Sequence, residues 1–193
     1  MKQPAVKPKS YKTASVLTRK ITLLACLSAL SIVGRVSMAA IPNVQPSTMI
    51  IICGSLVFGI QFGLGLAVLT VFGSNMMLGM GPFVFMQLLG WGTVAILSGL
   101  LGKKALYKKI PHVGMSIYAS FSGYLYGFLV SLNVLFIGGP ISFWAYYIAG
   151  LPFDTYHAAG NFFFYLLLSP IIIQLLEKEK KKMELIRGQA NGH

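Results

Sequence analysis

The sequence predicts an all-α integral membrane protein with six transmembrane helices and both termini cytoplasmic. Only 10% of the 193 residues are charged and 55% are hydrophobic, whereas soluble domains carry about 25% charged residues. The apolar runs are long enough to span a bilayer: residues 36–102 contain no Lys, Arg, Asp or Glu, and residues 110–176 contain only Asp154. Fifteen of the sixteen basic residues fall within 2–20, 103–109 and 178–187, and basic clusters flanking apolar runs mark the cytoplasmic side. A net charge of +12 would suggest nucleic acid if it covered a soluble surface. Confined to three flanks it does not, and no nucleic-acid partner is expected.

Residues 1–20 are polar, basic and proline-containing, and read as a cytoplasmic leader. The apolar run that follows, with Ser37-Met38-Ala39 behind it, has the outline of a signal peptide. The long leader, the Arg35 inside the run and the late break at Pro42 argue instead for a retained first helix over 21–40. Next comes Ile41-Pro42-Asn43-Val44-Gln45-Pro46, where two prolines bracket an Asn and a Gln; one helix stops there and another restarts.

With all three basic clusters on one side, residues 41–102 must cross an odd number of times and 110–176 an even number. Turn signals at Gly59-Ile60-Gln61-Phe62-Gly63 and Gly79-Met80-Gly81-Pro82 give spans at 46–60, 62–78 and 82–102. The first of these is short, about 22 Å at 1.5 Å per residue against a hydrocarbon core of about 30 Å. Ile137-Gly138-Gly139-Pro140 separates a helix over 113–136 from one over 153–176, with a kink expected at Pro170. The outer loops, 41–47, 78–82 and 137–152, then carry no charge. The six-helix membrane domain is 21–176, and 177–193 is a charged cytoplasmic tail that prolongs the last helix by a turn or two. A multi-pass protein of the cell membrane, embedded in the lipid bilayer, is the expected product.

Polar residues inside such spans are costly and mark candidate function. Arg35 lies near the outer end of the first helix, where it reads as a ligand contact, a partner of Asp154 or an interfacial anchor. Asp154 opens the expected last helix, where a cap at the positive end of the helix dipole is the plain alternative. Asn43, Gln45, Asn75, Asn133, Trp144, Asp154, His157 and Asn161 map to the outer third, with Tyr146, Tyr147 and Tyr156 beside them. Gln87 and Trp91 share one helix face, and His157 and Asn161 repeat that spacing. An aromatic belt accounts for part of the tyrosines; the asparagines and glutamines fit a polar, outward-opening pocket. Ala25-x-x-x-Ala29, Ala95-x-x-x-Gly99 and Gly123-x-x-x-Gly127 place small residues where helices approach closely, within the chain or with a partner. Cys26 and Cys53 form no C-x-x-C and read as small buried hydrophobes. Enzyme signatures are absent: no H-E-x-x-H, no G-x-S-x-G and no phosphate-binding loop with a Lys. Neither a cofactor nor a metal is called for.

Taken together, Ala25-x-x-x-Ala29, the segment from Arg35 through Ile41-Pro42-Asn43-Val44-Gln45-Pro46, Ser74-Asn75 before Gly79-Met80-Gly81-Pro82, and Gln87-Leu88-Leu89-Gly90-Trp91-Gly92 resemble the substrate-binding S-components of energy-coupling factor (ECF) vitamin transporters. The resemblance covers residues 20 to 176. It implies a subunit that binds a vitamin from outside and delivers it inward with a transmembrane T-component and two cytoplasmic ATPases, toppling in the membrane as it does so. Ala25 and Ala29 would contact the T-component. The Pro-Asn-Val-Gln-Pro segment resembles most the S-components linked to cobalamin or other corrinoids, with thiamine-, riboflavin-, folate- and pantothenate-like ligands as alternatives. Two other classes stay open: a small membrane enzyme using Asp154 and His157 as a base pair on the outer face, and a structural membrane subunit without ligand.

Overall fold

The computed structural model describes residues 9–191; residues 1–8 of the expected leader and 192–193 of the tail lie outside the described residues. Helix is the regular structure throughout, and no strand occurs among the described residues, as expected where backbone groups must be satisfied without water. Helix α1 spans Lys9–Ser37, α2 Ser47–Phe58, α3 Ile60–Leu78 and α4 Phe83–Gly102, followed by a short 3-10 segment, Lys103–Lys109. The remaining stretch, His112–Asn191, is broken at Gly139; its parts are α5 (112–138) and α6 (140–191). Four stretches, Ala14–Ser37, Ile60–Leu78, Phe83–Lys109 and His112–Gln189, are long and apolar enough to cross a membrane, by length and composition, among the described residues.

The turns fall where glycine and proline predict. A single residue, Gly59, joins α2 to α3 with φ 88°, and Gly139 reverses the chain between α5 and α6 with φ 73°. Side chains with a Cβ resist such torsions, so both reversals depend on glycine. Helices α5 and α6 then run antiparallel: His112 Nε2 donates to the Leu166 carbonyl at 3.0 Å, and the Tyr124 hydroxyl to Thr155 Oγ1 at 3.0 Å.

The three basic segments meet at one end of the bundle. Arg19 pairs with Glu179 at 3.3 Å and Lys108 with Glu177 at 2.7 Å. Tyr107 donates to the same Glu177 at 2.5 Å, and Lys180 Nζ caps the α2 carbonyl of Val57 at 2.9 Å. The short α2 is no anomaly: eleven of its 12 residues, Ser47 to Val57, are buried. Surrounded by other helices, it meets protein rather than hydrocarbon, so its length need not match the bilayer.

Several expectations are corrected. The outer loop expected over 137–152 is helix, because α6 starts at 140. Pro140 stands in its first turn, where a missing N–H costs nothing. Asp154 is therefore well inside α6, and the positive end of a helix dipole does not account for it. The first helix begins at Lys9 rather than 21, and the tail continues α6 to Asn191, well beyond a turn or two.

Candidate functional site

At the end of the bundle opposite the basic clusters lies a half-open cavity of about 480 Å³. Arg35 comes from α1, Asn43 and Gln45 from the proline-bracketed segment, Gln87 from α4, Tyr126, Gly127, Val130 and Ser131 from α5, and Tyr146, Ala149, Gly150, Phe153 and Asp154 from α6. A smaller space of about 150 Å³ adjoins it behind Arg35, Asn43 and Gln45.

Arg35 does not snorkel. Its Nη1 donates to Ser74 Oγ at 2.5 Å and reaches Asn75 Oδ1 at 3.4 Å, while its guanidinium carbon stands 5.1 Å from the Trp91 ring centroid. Ser74 passes the bond on to the Thr70 carbonyl at 2.6 Å. Because a guanidinium can only donate, Asn75 presents its oxygen to Arg35 and its Nδ2 to Gln87 Oε1, at 2.6 Å. That leaves the Gln87 NH₂ free. Arg35 and Gln87 consequently present N–H donors on the same side of the cavity.

Behind that side, rings pack in tilted contact from helix to helix. The Trp91 ring lies 4.8 Å from Tyr126, and Tyr126 lies 5.3 Å from His157. Gly90 makes room: a Cβ there would sit 2.7 Å from the Tyr126 ring. Cation–π contact with Trp91 lowers the cost of holding Arg35 away from water.

His157 is fully buried, and both of its nitrogens are committed. Nδ1 lies 2.8 Å from the Asn43 carbonyl, which can only accept, so Nδ1 carries the proton. A buried ring with no carboxylate against it is neutral, so Nε2 accepts from Thr48 Oγ1 at 3.0 Å. Thr48 in turn accepts from Trp91 Nε1 at 3.0 Å. Asn43, at φ 57°, also donates from Nδ2 to the Phe153 carbonyl at 3.2 Å. The loop between the two prolines is thus pinned to α6, and through His157 and Thr48 linked to α2 and α4. His157 holds a wall and has no free nitrogen for acid–base chemistry.

Eight of the eleven residues expected at a ligand site are at the cavity or in contact with its lining: Arg35, Asn43, Gln45, Asn75, Gln87, Trp91, Asp154 and, through Asn43, His157. His157 and Asn161 are buried behind it, the Asn161 amide without a hydrogen-bond partner. Asn133 is not among the lining residues. Trp144 is 54% exposed and packs instead on Phe143 and Tyr147 at the α5–α6 tip. Of the three roles open to Arg35, the pairing with Asp154 is not formed: no ion pair joins them. Sequence reasoning missed Thr48, Tyr126 and Ser131.

The small-residue motifs separate cleanly. A Cβ on Gly123 would lie 2.9 Å from the Ala158 backbone, and one on Gly99 would lie 2.7 Å from Ile60 N; both positions serve contacts within the bundle. Ala25 and Ala29 instead face outward on α1, beside the exposed Cys26.

Neither the curated proteins nor the solved structures gave a match to this chain. The model of the ECF transporter substrate-specific component matches residues 19–169. That match covers most of the sequence and includes every residue that lines the cavity: the chain belongs to the family of ECF transporter substrate-specific components.

Proposed function

We propose that the cavity walled by Arg35, Asn43, Gln45, Gln87, Tyr126 and Asp154 is the substrate site of this component. Family membership makes the chain a membrane transport subunit that binds a small-molecule substrate, not an enzyme, and one that works with a T-component and ATPases. The observation that carries the site is the convergence of the polar side chains isolated within apolar runs on one half-open cavity. Buried polar groups are otherwise matched by protein partners, and here Gln45 and Asp154 make no side-chain hydrogen bond among the described residues while bordering the cavity.

Six crossings, with the basic end cytoplasmic, open the cavity to the outer face. Substrate enters there, and Ala25 and Ala29 offer the T-component an outward surface on α1. The cavity also bears on the substrate. Pockets for drug-sized ligands measure roughly 300–1,000 Å³, and at about 480 Å³ this one suits a one- or two-ring vitamin-type molecule. A corrinoid, with its macrocycle and nucleotide loop, is too large for it to enclose, so volume favours the smaller candidates over the cobalamin expectation.

Equilibrium binding tests the reading. Purified full-length protein in detergent, without ATP or partners, is expected to gain thermal stability with at least one member of a small-vitamin panel, by mass action on the folded state. An unchanged melting temperature across the whole panel contradicts it.

A further inference from the structure

Two charges of opposite sign border the same cavity, and neither has a counter-ion. Asp154 is 6% exposed, borders the cavity, and has no hydrogen bond or ion pair among the described residues. Arg35 is met by neutral groups only: Ser74, Asn75 and the Trp91 ring. Glu177 and Glu179, by contrast, are both paired with basic residues at the opposite end, and Glu184, which has no ion pair, is exposed; Asp154 is the one buried carboxylate among the described residues without a partner. Nor is Asp154 a helix cap, since α6 begins at 140.

Burying an unpaired charge is strongly unfavourable, and it is retained where a partner arrives from outside the protein. The two ends of the cavity also differ in hydrogen-bonding character. Beside Arg35, Gln87 Oε1 is occupied by Asn75 Nδ2, so Gln87 adds its NH₂ to the guanidinium donors, while Gln45 offers an amide that can donate or accept. Asp154 in its charged form is acceptor-only. One end calls for an anion and the other for a cation or an array of N–H donors.

Resting on the reading of this cavity as the substrate site, we infer that the substrate is a small dipolar molecule. Its carboxylate or phosphate lies against Arg35 and the Gln87 amide, and its basic or amino-substituted nitrogen group against Asp154. The ligand supplies both missing counter-ions at once. A singly charged analogue leaves one protein charge buried and unpaired, so discrimination comes from the penalty on the wrong ligand as well as from contacts to the right one.

The test compares the full-length protein with Asp154→Asn and Arg35→Gln. The readout is the melting temperature against four sets of compounds: thiamine monophosphate and pyridoxamine 5′-phosphate (both charges), thiamine and pyridoxamine (cation), pantothenate and biotin (anion), riboflavin and pyridoxine (neutral). The dipolar set is expected to stabilise the wild type most. Asp154→Asn should erase the preference for dipolar over anionic compounds, and Arg35→Gln the preference for dipolar over cationic ones, each a loss of about tenfold or more in relative affinity. These ratios are read within one variant, so a general loss of stability does not mimic them. Without ligand, Asp154→Asn should melt no lower than the wild type, because it removes an unpaired buried charge. A clearly lower melting temperature makes Asp154 structural and overturns the inference. Full stabilisation by a singly charged or neutral compound, unaffected by Asp154→Asn, also overturns it while leaving the substrate-site reading intact. If no set stabilises the protein, that underlying reading fails as well.

Discussion

Thr48 is one hydroxyl serving two helices besides its own, accepting from Trp91 and donating to His157. Thr48→Val leaves an indole N–H and an imidazole nitrogen buried and unpaired, so a loss of about 1–3 kcal/mol per orphaned group is expected. Reversible unfolding in detergent measures it, with Thr48→Ser restoring most of the loss; a neutral Thr48→Val would show that the network does not hold the wall. Such residues were illegible in the sequence for a physical reason. Ser and Thr in helices commonly satisfy themselves on a carbonyl one turn back, as Ser55 does on Ile51 at 2.7 Å, so their presence in a span says little. Arg35, Asn75, Gln87 and Asp154 cannot hide that way, and they stood out. Trp144 and Asn133 were over-read because depth along a helix says nothing about which way it faces.

At the scale of elements, one motif type has two uses. Gly123 and Gly99 allow α5 and α4 to approach α6 and α3, and Gly123→Ala should cost about 1–3 kcal/mol by forcing backbones apart. A melting temperature unchanged in Gly123→Ala argues that α5 and α6 pack more loosely than described. Ala25→Trp and Ala29→Trp should behave oppositely. They add bulk to an exposed face of α1, so melting and ligand affinity are expected to stay as in the wild type while uptake with the T-component and ATPases is lost. Loss of folding or of binding in these variants would place the two alanines inside the bundle. Helix boundaries were legible where glycines cluster or stand with proline, at Gly59, Gly79 to Pro82 and Gly139-Pro140. The expected loop over 137–152 failed because an apolar, aromatic-rich stretch with a proline in its first turn is equally good helix. Between Ile141 and Leu151 the one weak helix former is Gly150, and an isolated glycine is tolerated within a helix.

Across the whole molecule, charge sorts the two ends. Lys and Arg from three distant segments meet around Glu177 and Glu179, and the opposite end holds Arg35, Asp154 and neutral amides. The clustering was legible in the sequence, and so was the convergence of polar residues at the far end. The lack of a counter-ion for either cavity charge was not, since two opposite charges in one membrane domain read naturally as a pair. Topology is open to direct measurement. With Cys26 and Cys53 replaced, Met80→Cys, in the exposed turn between α3 and α4, should react with a membrane-impermeant thiol reagent on intact cells. Lys181→Cys should react only after permeabilisation. The reverse pattern inverts the protein and closes the cavity to outside substrate.

The central claim, that this cavity holds the transported molecule, is tested most directly by mass spectrometry of what the purified full-length protein carries, compared with Gly150→Trp. Gly150 borders the cavity, and a Cβ there meets nothing within 4 Å, so an indole can fill the space without disturbing the helices. The account predicts a small molecule bearing both an acidic and a basic group in the wild type, absent from a Gly150→Trp protein that melts normally. The same bound molecule in both proteins, at the same occupancy, would contradict it.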